Sequence, residues 1–147
     1  MERSLVLIKP DGVQRGLIGE IIARLEKKGL TIAGAKLIHM SSDLAERHYS
    51  EHKGKPFFKD LVDFITSGPV LAMVWEGKSA VTAVRTIMGA TNPLYSMPGT
   101  IRGDYGLDIE KNIMHSSDSP ESVSQEISLF FSAGEIVVNA KNVVPVF

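Results

Sequence analysis

Apolar residues near the N-terminus first form a continuous run and then recur at helical spacing. Residues 5–8 are all apolar and are followed at once by Lys9 and a proline, which predicts a short buried strand. Apolar side chains then recur every three or four positions over residues 17–25, and Gly29 provides a helix stop. Asp11 and Gln14 have the spacing of a capping box, so we expect the helix to start there.

The middle of the chain continues this alternation. In order, the pattern predicts a strand over about residues 30–40, a short helix from about residue 44, a helix over about 57–65 and a strand over 70–75. Ser79 is predicted to cap a further helix that ends at Gly89.

The last third combines a long loop with one more strand and helix. Residues 91–106 hold several glycines and prolines, which predicts a functional loop without a regular element. Residues 112–115 fit a fourth strand, and Ser119-Pro120 fits a helix start. The order β-α-β-β-α-β predicts an α/β (α+β) fold of ferredoxin-like type, a four-stranded antiparallel sheet with helices on one face. We expect one domain over residues 1–147.

Composition narrows the functional classes. Sixteen basic and seventeen acidic residues give a net charge of -1, so the overall field would not attract nucleic acid. The absence of cysteine excludes a disulfide framework and a thiolate nucleophile, and it suits a cytoplasmic location. No apolar run approaches the roughly eighteen residues of a membrane span, so we expect a soluble protein.

Three local patterns are candidates for chemistry. Residues 77–79 read Gly-Lys-Ser, but Ala72 stands where a phosphate-binding loop needs glycine, which favours a plain turn. His48 and His52 are spaced to share one helix face, where they would either bind a metal or simply be exposed. His115 follows the fourth strand; the pKa of a free imidazole is about 6.5, so it would be either a nucleophile or a structural histidine.

The neighbours of His115 decide between those two interpretations. Asn112-Ile113-Met114-His115-Ser116-Ser117-Asp118 resembles the active-site segment of the nucleoside diphosphate kinases, which typically reads Asn-x-x-His-Gly-Ser-Asp. The resemblance continues in family order through residues 5–12, 48–49, 55–58, 67–70, 85, 89–93 and 98–104. It covers nearly the whole chain.

The resemblance implies an enzyme that moves the terminal phosphate of a nucleoside triphosphate, typically ATP, to a nucleoside diphosphate by a ping-pong route. His115 would carry the phosphate as phosphohistidine, and base specificity would be broad. The family motifs assign binding of phosphates and ribose to Lys9, Tyr49, Arg85, Thr91, Arg102 and Asn112, base stacking to Phe57, and orientation of the histidine to Ser117 and Glu126. Taken singly, each is equally explained as a surface charge, a turn residue or a core aromatic.

The same resemblance implies Mg²⁺ as a cofactor and self-association as a homohexamer or homotetramer. Magnesium would be held mainly by the nucleotide phosphates and water, with Asp118 either approaching it through water or capping a helix. Residues 94–97 are unusually apolar for this loop and would either support assembly or fold inward.

One residue departs from the family pattern. Ser116 stands where the family usually has glycine, and its side chain would be strained if the backbone there has a positive φ. Two other classes of protein are alternatives: a nucleotide-binding regulator that has lost catalysis, and a nucleic-acid-binding module built on the same sheet.

Overall fold

A four-stranded antiparallel sheet forms the centre of the fold. The computed structural model of the chain describes residues 1–138. Its strands are β1 (Glu2–Ile8), β2 (Thr31–Ile38), β3 (Val70–Gly77) and β4 (Met114–Ser116), arranged in the order β2-β3-β1-β4. Leu7 in the central strand β1 pairs with Ala72 on one side and with His115 on the other, which places His115 on an edge strand.

Helices cover both faces of this sheet. Within residues 1–138 they are α1 (Pro10–Gln14), α2 (Ile18–Lys28), α3 (Ser42–His48), α4 (Phe58–Ile65), α5 (Ala80–Met88), α6 (Ile101–Tyr105) and α7 (Val123–Phe130). Val6 and Ile8 of β1 face a core built with α2 and α5, whereas Leu5 and Leu7 face a second core built with α3, α4 and α7. Successive side chains of a strand point to opposite faces of the sheet. Because both faces are covered here, β1 contributes to two cores.

The predicted ferredoxin-like βαββαβ fold is confirmed, with α2 and α5 as its two helices on one face. We expected helices on one face of the sheet, which is correct for α2 and α5 but leaves out the helices on the other face. The additional helices α3 and α4, inserted between β2 and β3, and α7 after β4 cover the other face.

Several local predictions were wrong. Asp11 does not cap a helix: α1 begins at Pro10 without a side-chain cap, and a separate α2 carries the apolar stripe. Ser79 lies at the start of α5 in a left-handed conformation, and the Glu2 carboxylate accepts the N–H of Val81 instead. In both cases the carboxylate bonds a segment distant in sequence, because Asp11 accepts the N–H of Ile113 and Glu2 accepts that of Val81.

The long segment 91–106 is more regular than its composition suggested. It contains a 3₁₀ turn at Pro93–Tyr95 and helix α6, whose Thr100 hydroxyl accepts the N–H of Gly103. The last helix begins at Val123, later than the predicted start at Ser119-Pro120. The C-terminal residues 142–147 do not decide from sequence between a hexamer and a tetramer, and they lie outside the described residues.

Candidate active site

A cavity of about 1060 Å³ opens beside the edge strand β4. It is bordered by residues of α3, α4, α5, α6 and α7, elements that are far apart in sequence. The predicted site residues that line it are Lys9, Tyr49, Phe57, Arg85, Thr91, Arg102, Asn112, His115 and Glu126. The fold thus gathers into one cavity nine side chains that the sequence spreads over more than a hundred positions.

His115 is held in the cavity by a carboxylate. Its Nε2 lies 3.2 Å from Oε2 of Glu126 in α7. An ionised carboxylate only accepts hydrogen bonds, so this contact assigns the ring proton to Nε2. The lone pair of a neutral His115 is then on Nδ1, which is the nitrogen that remains available for attack.

Two serines, Ser117 and Ser122, also hydrogen bond Glu126. The Ser122 hydroxyl donates to Glu126 Oε1 at 3.2 Å, and the Ser117 hydroxyl also hydrogen bonds the carboxylate. Burial acts to raise the pKa of Glu126, but its bonds to His115, Ser117 and Ser122 outweigh burial and lower it. Ser117 is fully buried, and its Oγ accepts the N–H of Leu5 at 3.0 Å, so it is anchored to the central strand.

Lys9 is the first of the three predicted cations that line the cavity, and Arg85 and Arg102 are the others. It follows directly after β1, and its Nζ donates to Oδ1 of Asn112 at 2.9 Å. Burial, and secondarily the charge of Arg102, lower the pKa of Lys9 to about 8, although Asp11 acts in the opposite direction. A bound anion would counter both of the effects that lower this pKa, because it would offset the charge of Arg102 and pair with the buried ammonium.

Arg102 is the most buried of the three cations, with 4% of its surface exposed. Its Nε and Nη2 donate to the carbonyls of Asn112 and Met114 at 3.0 and 2.7 Å, and its Nη1 donates to a third carbonyl, that of Gly89, at 3.3 Å. Burial, followed by the charge of Arg85, lowers the pKa of Arg102 to about 10. Each terminal nitrogen retains one N–H beyond these bonds, which is the fork that holds two oxygens of a phosphate.

Arg85 lies on α5 and is more exposed than Arg102. Its Nη1 donates to Oδ1 of Asp118 at 2.8 Å, and both side chains are substantially exposed. Thr91 is exposed near this end of the cavity, and its carbonyl accepts from Asn112 Nδ2 at 2.9 Å. The Asn112 amide is therefore fixed at both ends, by Lys9 and by Thr91.

Two aromatic residues form another part of the lining. Tyr49 is buried, which raises the pKa of its phenol to about 12 and keeps the hydroxyl protonated. Phe57 is 45% exposed, lies 5.3 Å from the His52 ring between centroids and has Lys55 Nζ 5.8 Å away. An exposed aromatic face suits stacking better than a core role.

The sequence interpretation missed His48 and Ser122. His48 was expected with His52 on one helix face, either binding a metal or exposed, but both are half-buried, and the His48 ring stands edge-on to His115 with centroids 4.7 Å apart. Burial first, and then the nearby His115 and Lys9, lower the pKa of His48 to about 2, so it is neutral. The i, i+4 spacing of Ser122 and Glu126 was a signal that could have found the serine.

Ser116 is not strained. It lies in β4 opposite Val6, and it is not among the residues with positive φ. The backbone there accepts a serine as well as a glycine, so the strain considered from the sequence does not arise. Its hydroxyl is nevertheless buried, and Oγ has no hydrogen-bond partner within residues 1–138. The serine therefore lowers stability in one way, because its hydroxyl loses its hydration on folding without gaining a hydrogen bond.

Neither a metal cage nor a membrane span is found in the described part of the chain. No three histidine or acidic side chains there are grouped so that they could hold a metal ion. None of the helices in residues 1–138 has the length and apolar character that crossing a membrane requires.

The sequence is similar to a large family of enzymes. The model of the family described as nucleoside diphosphate kinase matches residues 2–136. Proteins named nucleoside diphosphate kinase from Carboxydothermus hydrogenoformans and Archaeoglobus fulgidus are 61% and 62% identical to this chain over 137 residues. The alignments cover 93% of this chain in both cases, and 92% and 91% of the relatives.

Solved structures give the same result. A halophilic nucleoside diphosphate kinase from Halobacterium salinarum in complex with CDP aligns with a TM-score of 0.91 at 55% identity, covering 93% of this chain and 91% of that one. A family protein from Babesia bovis also has a TM-score of 0.91, at 51% identity, with coverage of 94% and 93%. With its fold, its cavity and its sequence in agreement, the chain belongs to the nucleoside diphosphate kinase family.

Proposed function

We propose that His115 carries a phosphoryl group between two nucleotides, and that this step gives the chain its nucleoside diphosphate kinase activity. The observation that supports it most directly is the Nε2 contact of His115 with Glu126, which leaves Nδ1 free in a cavity that also contains Lys9, Arg85 and Arg102. A nucleophile beside clustered cations is what transfer of a phosphoryl group requires.

The reaction would occur in two mirrored steps. In the first, Nδ1 of His115 forms a bond to the terminal phosphorus of a nucleoside triphosphate, while the bond from that phosphorus to the bridging oxygen breaks. The bond electrons leave with the nucleoside diphosphate. In the second, a terminal oxygen of another diphosphate attacks the phosphohistidine, and the bond to Nδ1 breaks. Glu126 would stabilise the positive charge that develops on the ring in the first step.

The cations would neutralise the phosphates during both steps. Arg102, already fixed by three carbonyls, would offer its two remaining N–H groups as a rigid fork, and Arg85 would exchange Asp118 for phosphate oxygens. Lys9 would place a point charge close to the transferred group. The buried Tyr49 hydroxyl and the Asn112 amide, fixed by Lys9 and Thr91, would add neutral donors.

Phe57 would provide a platform for the nucleobase. Stacking on an aromatic face contributes about 1 to 3 kcal/mol per base and accepts any base, which accounts for the broad base specificity that we propose. The half-exposed ring is available for this contact. The Halobacterium relative was solved with CDP, and a nucleoside diphosphate is the ligand class that we infer for this chain.

Magnesium would enter the site together with the nucleotide. When bound, Mg²⁺ supplies charge neutralisation on the phosphate oxygens. The described residues offer no group of three acidic or histidine ligands, but Asp118 provides a hard carboxylate oxygen beside Arg85, and these residues fit an ion that brings most of its own ligands. Asp118 would contact that ion through water once Arg85 has turned to the phosphates.

Assembly, domain organisation and location are further proposals. Leu94, Tyr95 and Met97 are largely exposed, and this apolar loop supports self-association as a homohexamer or homotetramer. We also propose that residues 1–147 act as a single domain and that the enzyme works in the cytoplasm. Mass measurement of the native protein and localisation of the tagged protein test these proposals.

The central proposal is tested by labelling. Incubation with magnesium and ATP labelled in its terminal phosphate should give acid-labile, alkali-stable label on the protein, and addition of GDP should discharge it. His115→Ala should abolish the label, whereas His39→Ala, which removes an exposed histidine that does not line the cavity, should leave it unchanged. Label that persists in His115→Ala would refute the assigned nucleophile.

A further inference from the structure

The segment just before His115 has a strained backbone. Ile113 has a φ of 78°, in the left-handed region, although it is a β-branched and fully buried residue. Such a residue avoids this region because its side chain crowds the backbone, and it persists there only when the surroundings enforce it. The strain requires contacts that hold the segment in place.

Asp11, which lies just after β1, provides one of these contacts. Its Oδ2 accepts the N–H of Ile113 at 3.0 Å, across 102 positions of the chain, and the carboxylate is buried. Lys9 adds a second contact, because its backbone N–H donates to the carbonyl of Ile113 at 2.8 Å. The two sides of the Ile113 backbone are thus fixed by the same short stretch after β1.

Gly12 allows the two segments to come this close. A Cβ built at Gly12 would lie 2.9 Å from the Ile113 carbonyl oxygen and 3.1 Å from its Cγ2. Contacts this short would push Ile113 away from Asp11. The Asp11-Gly12 pair therefore combines an acceptor with the space that the acceptor needs.

The backbone of Ile113 determines where its neighbours point. The preceding residue, Asn112, bonds Lys9 through its side chain and Arg102 through its carbonyl. The residue after Met114 is His115. A change of φ at Ile113 would therefore move both the Asn112 amide and the His115 ring relative to the cations.

We propose that Asp11 is a positioning residue: it holds Ile113 in the left-handed conformation and thereby sets the direction of the His115 ring. The inference rests on the proposed function, since it concerns the rate at which His115 is phosphorylated. Asp11 does not line the cavity, so it acts through Ile113 and not on the nucleotide.

The test compares Asp11→Ala, which removes the acceptor, with Asp11→Asn, which keeps an acceptor oxygen of the same shape. Misplacement of a reacting group by about 1 Å slows a reaction by about 100-fold, so labelling of Asp11→Ala by ATP should be about 10- to 100-fold slower in single turnover. Asp11→Asn should label close to the wild-type rate. The final label per subunit should be complete in all three proteins.

Nucleotide affinity gives an independent signal. Asp11 lies close enough to Lys9 and Arg102 for its charge to act against the lowering of the pKa of both, so removing this negative charge leaves the cavity more positive. Binding of ADP with magnesium to Asp11→Ala should therefore be unchanged or tighter, although labelling is slower. A loss of folded protein would lower the amount of label and would not tighten binding.

Ile113 offers a matched pair of variants in the Asp11→Ala background. Ile113→Gly and Ile113→Ala both remove the buried side chain, but only glycine adopts a positive φ without strain. If Asp11 holds the conformation, Asp11→Ala with Ile113→Gly should label faster than Asp11→Ala with Ile113→Ala.

Each contrary result overturns the proposal. Labelling of Asp11→Ala at the wild-type rate would show that Ile113 keeps its conformation without Asp11. An Asp11→Asn variant as slow as Asp11→Ala would assign the effect to charge, and a reduced final label at an unchanged rate would assign it to misfolding. Absence of label on the wild-type protein would instead refute the proposed function itself.

Discussion

Replacing Arg102 by lysine keeps the positive charge and removes the planar fork, so it separates the two contributions of this residue. The guanidinium donates to two carbonyls through fully buried bonds, at 3.0 and 2.7 Å, and to a third through a longer bond of 3.3 Å. A lysine carries its three N–H donors on one nitrogen, which cannot occupy the positions of both Nε and Nη2, so we expect it to lose one of the two buried bonds. We therefore expect Arg102→Lys to affect stability as well as catalysis.

The size of the effect follows from the number of bonds lost. A hydrogen bond to a charged group contributes about 1.5 to 3 kcal/mol, so the loss of one buried bond should lower the free energy of unfolding by about that amount. The ammonium also lacks the planar pair of donors that aligns with two phosphate oxygens, and turnover should fall by more than the retained charge suggests. Denaturant unfolding measures the first effect, and the rate of phosphate exchange between ATP and GDP measures the second.

Arg85→Lys is the matched control. Arg85 lines the same cavity but is exposed and makes a single ion pair with Asp118, and such surface pairs contribute about 0 to 1 kcal/mol. Its lysine variant should therefore retain wild-type stability. Near-normal turnover and unchanged stability of Arg102→Lys would refute the assigned role, because a point charge would then be sufficient.

Four other changes test other parts of the site. Glu126→Gln should slow phosphorylation of His115 by about 10- to 100-fold, because the carboxylate orients the ring and stabilises its charge. Phe57→Ala should weaken binding of all bases by about 1 to 3 kcal/mol in titrations with ADP, GDP and CDP, without changing their order. The kcat/KM for ATP should fall as the pH rises through about 8, because Lys9 loses its proton there, and Lys9→Arg should move this limb to higher pH. Ser116→Ala should raise the free energy of unfolding by about 1 to 3 kcal/mol, because it removes a buried hydroxyl without a partner.

Each of these four expectations has a clear contrary result. An unchanged labelling rate in Glu126→Gln would separate the glutamate from ring orientation, and a loss confined to one base in Phe57→Ala would indicate base-specific contacts. If kcat/KM of Lys9→Arg falls over the same pH range as in the wild type, the proton that is lost there belongs to another group. A less stable Ser116→Ala would mean that the hydroxyl has a partner, and Ser116→Gly then shows whether the side chain affects the rate at all.

The Lys9 proton affects stability and activity in opposite directions. The pKa of Lys9 is lowered from the ordinary 10.5 to about 8 in the folded protein, so between these values the unfolded chain binds more protons than the folded one. The contribution of Lys9 to stability therefore rises with pH across this interval, while the charged form that binds phosphate disappears. Thermal unfolding and kinetics measured over the same pH range should diverge.

The sequence alone was sufficient for the order of the four strands and for nine of the residues that line the cavity. The apolar run in β1 and the left-handed Gly29 after α2 are local features that act wherever they occur, and structure and prediction agree on them. The matches to family motifs identified side chains such as Phe57 and Arg102, which no spacing rule connects but which line one cavity.

Tertiary structure decided the partners of individual polar groups. Asp11 was expected to cap a helix and instead accepts the N–H of Ile113, and Glu2 rather than Ser79 accepts the N–H of Val81 in the first turn of α5. His48 was expected on an exposed face and instead contacts the ring of His115. A local pattern shows which groups need a partner, but the identity of that partner depends on which distant segment the packing brings within 3 Å, and a short window of sequence does not contain that information.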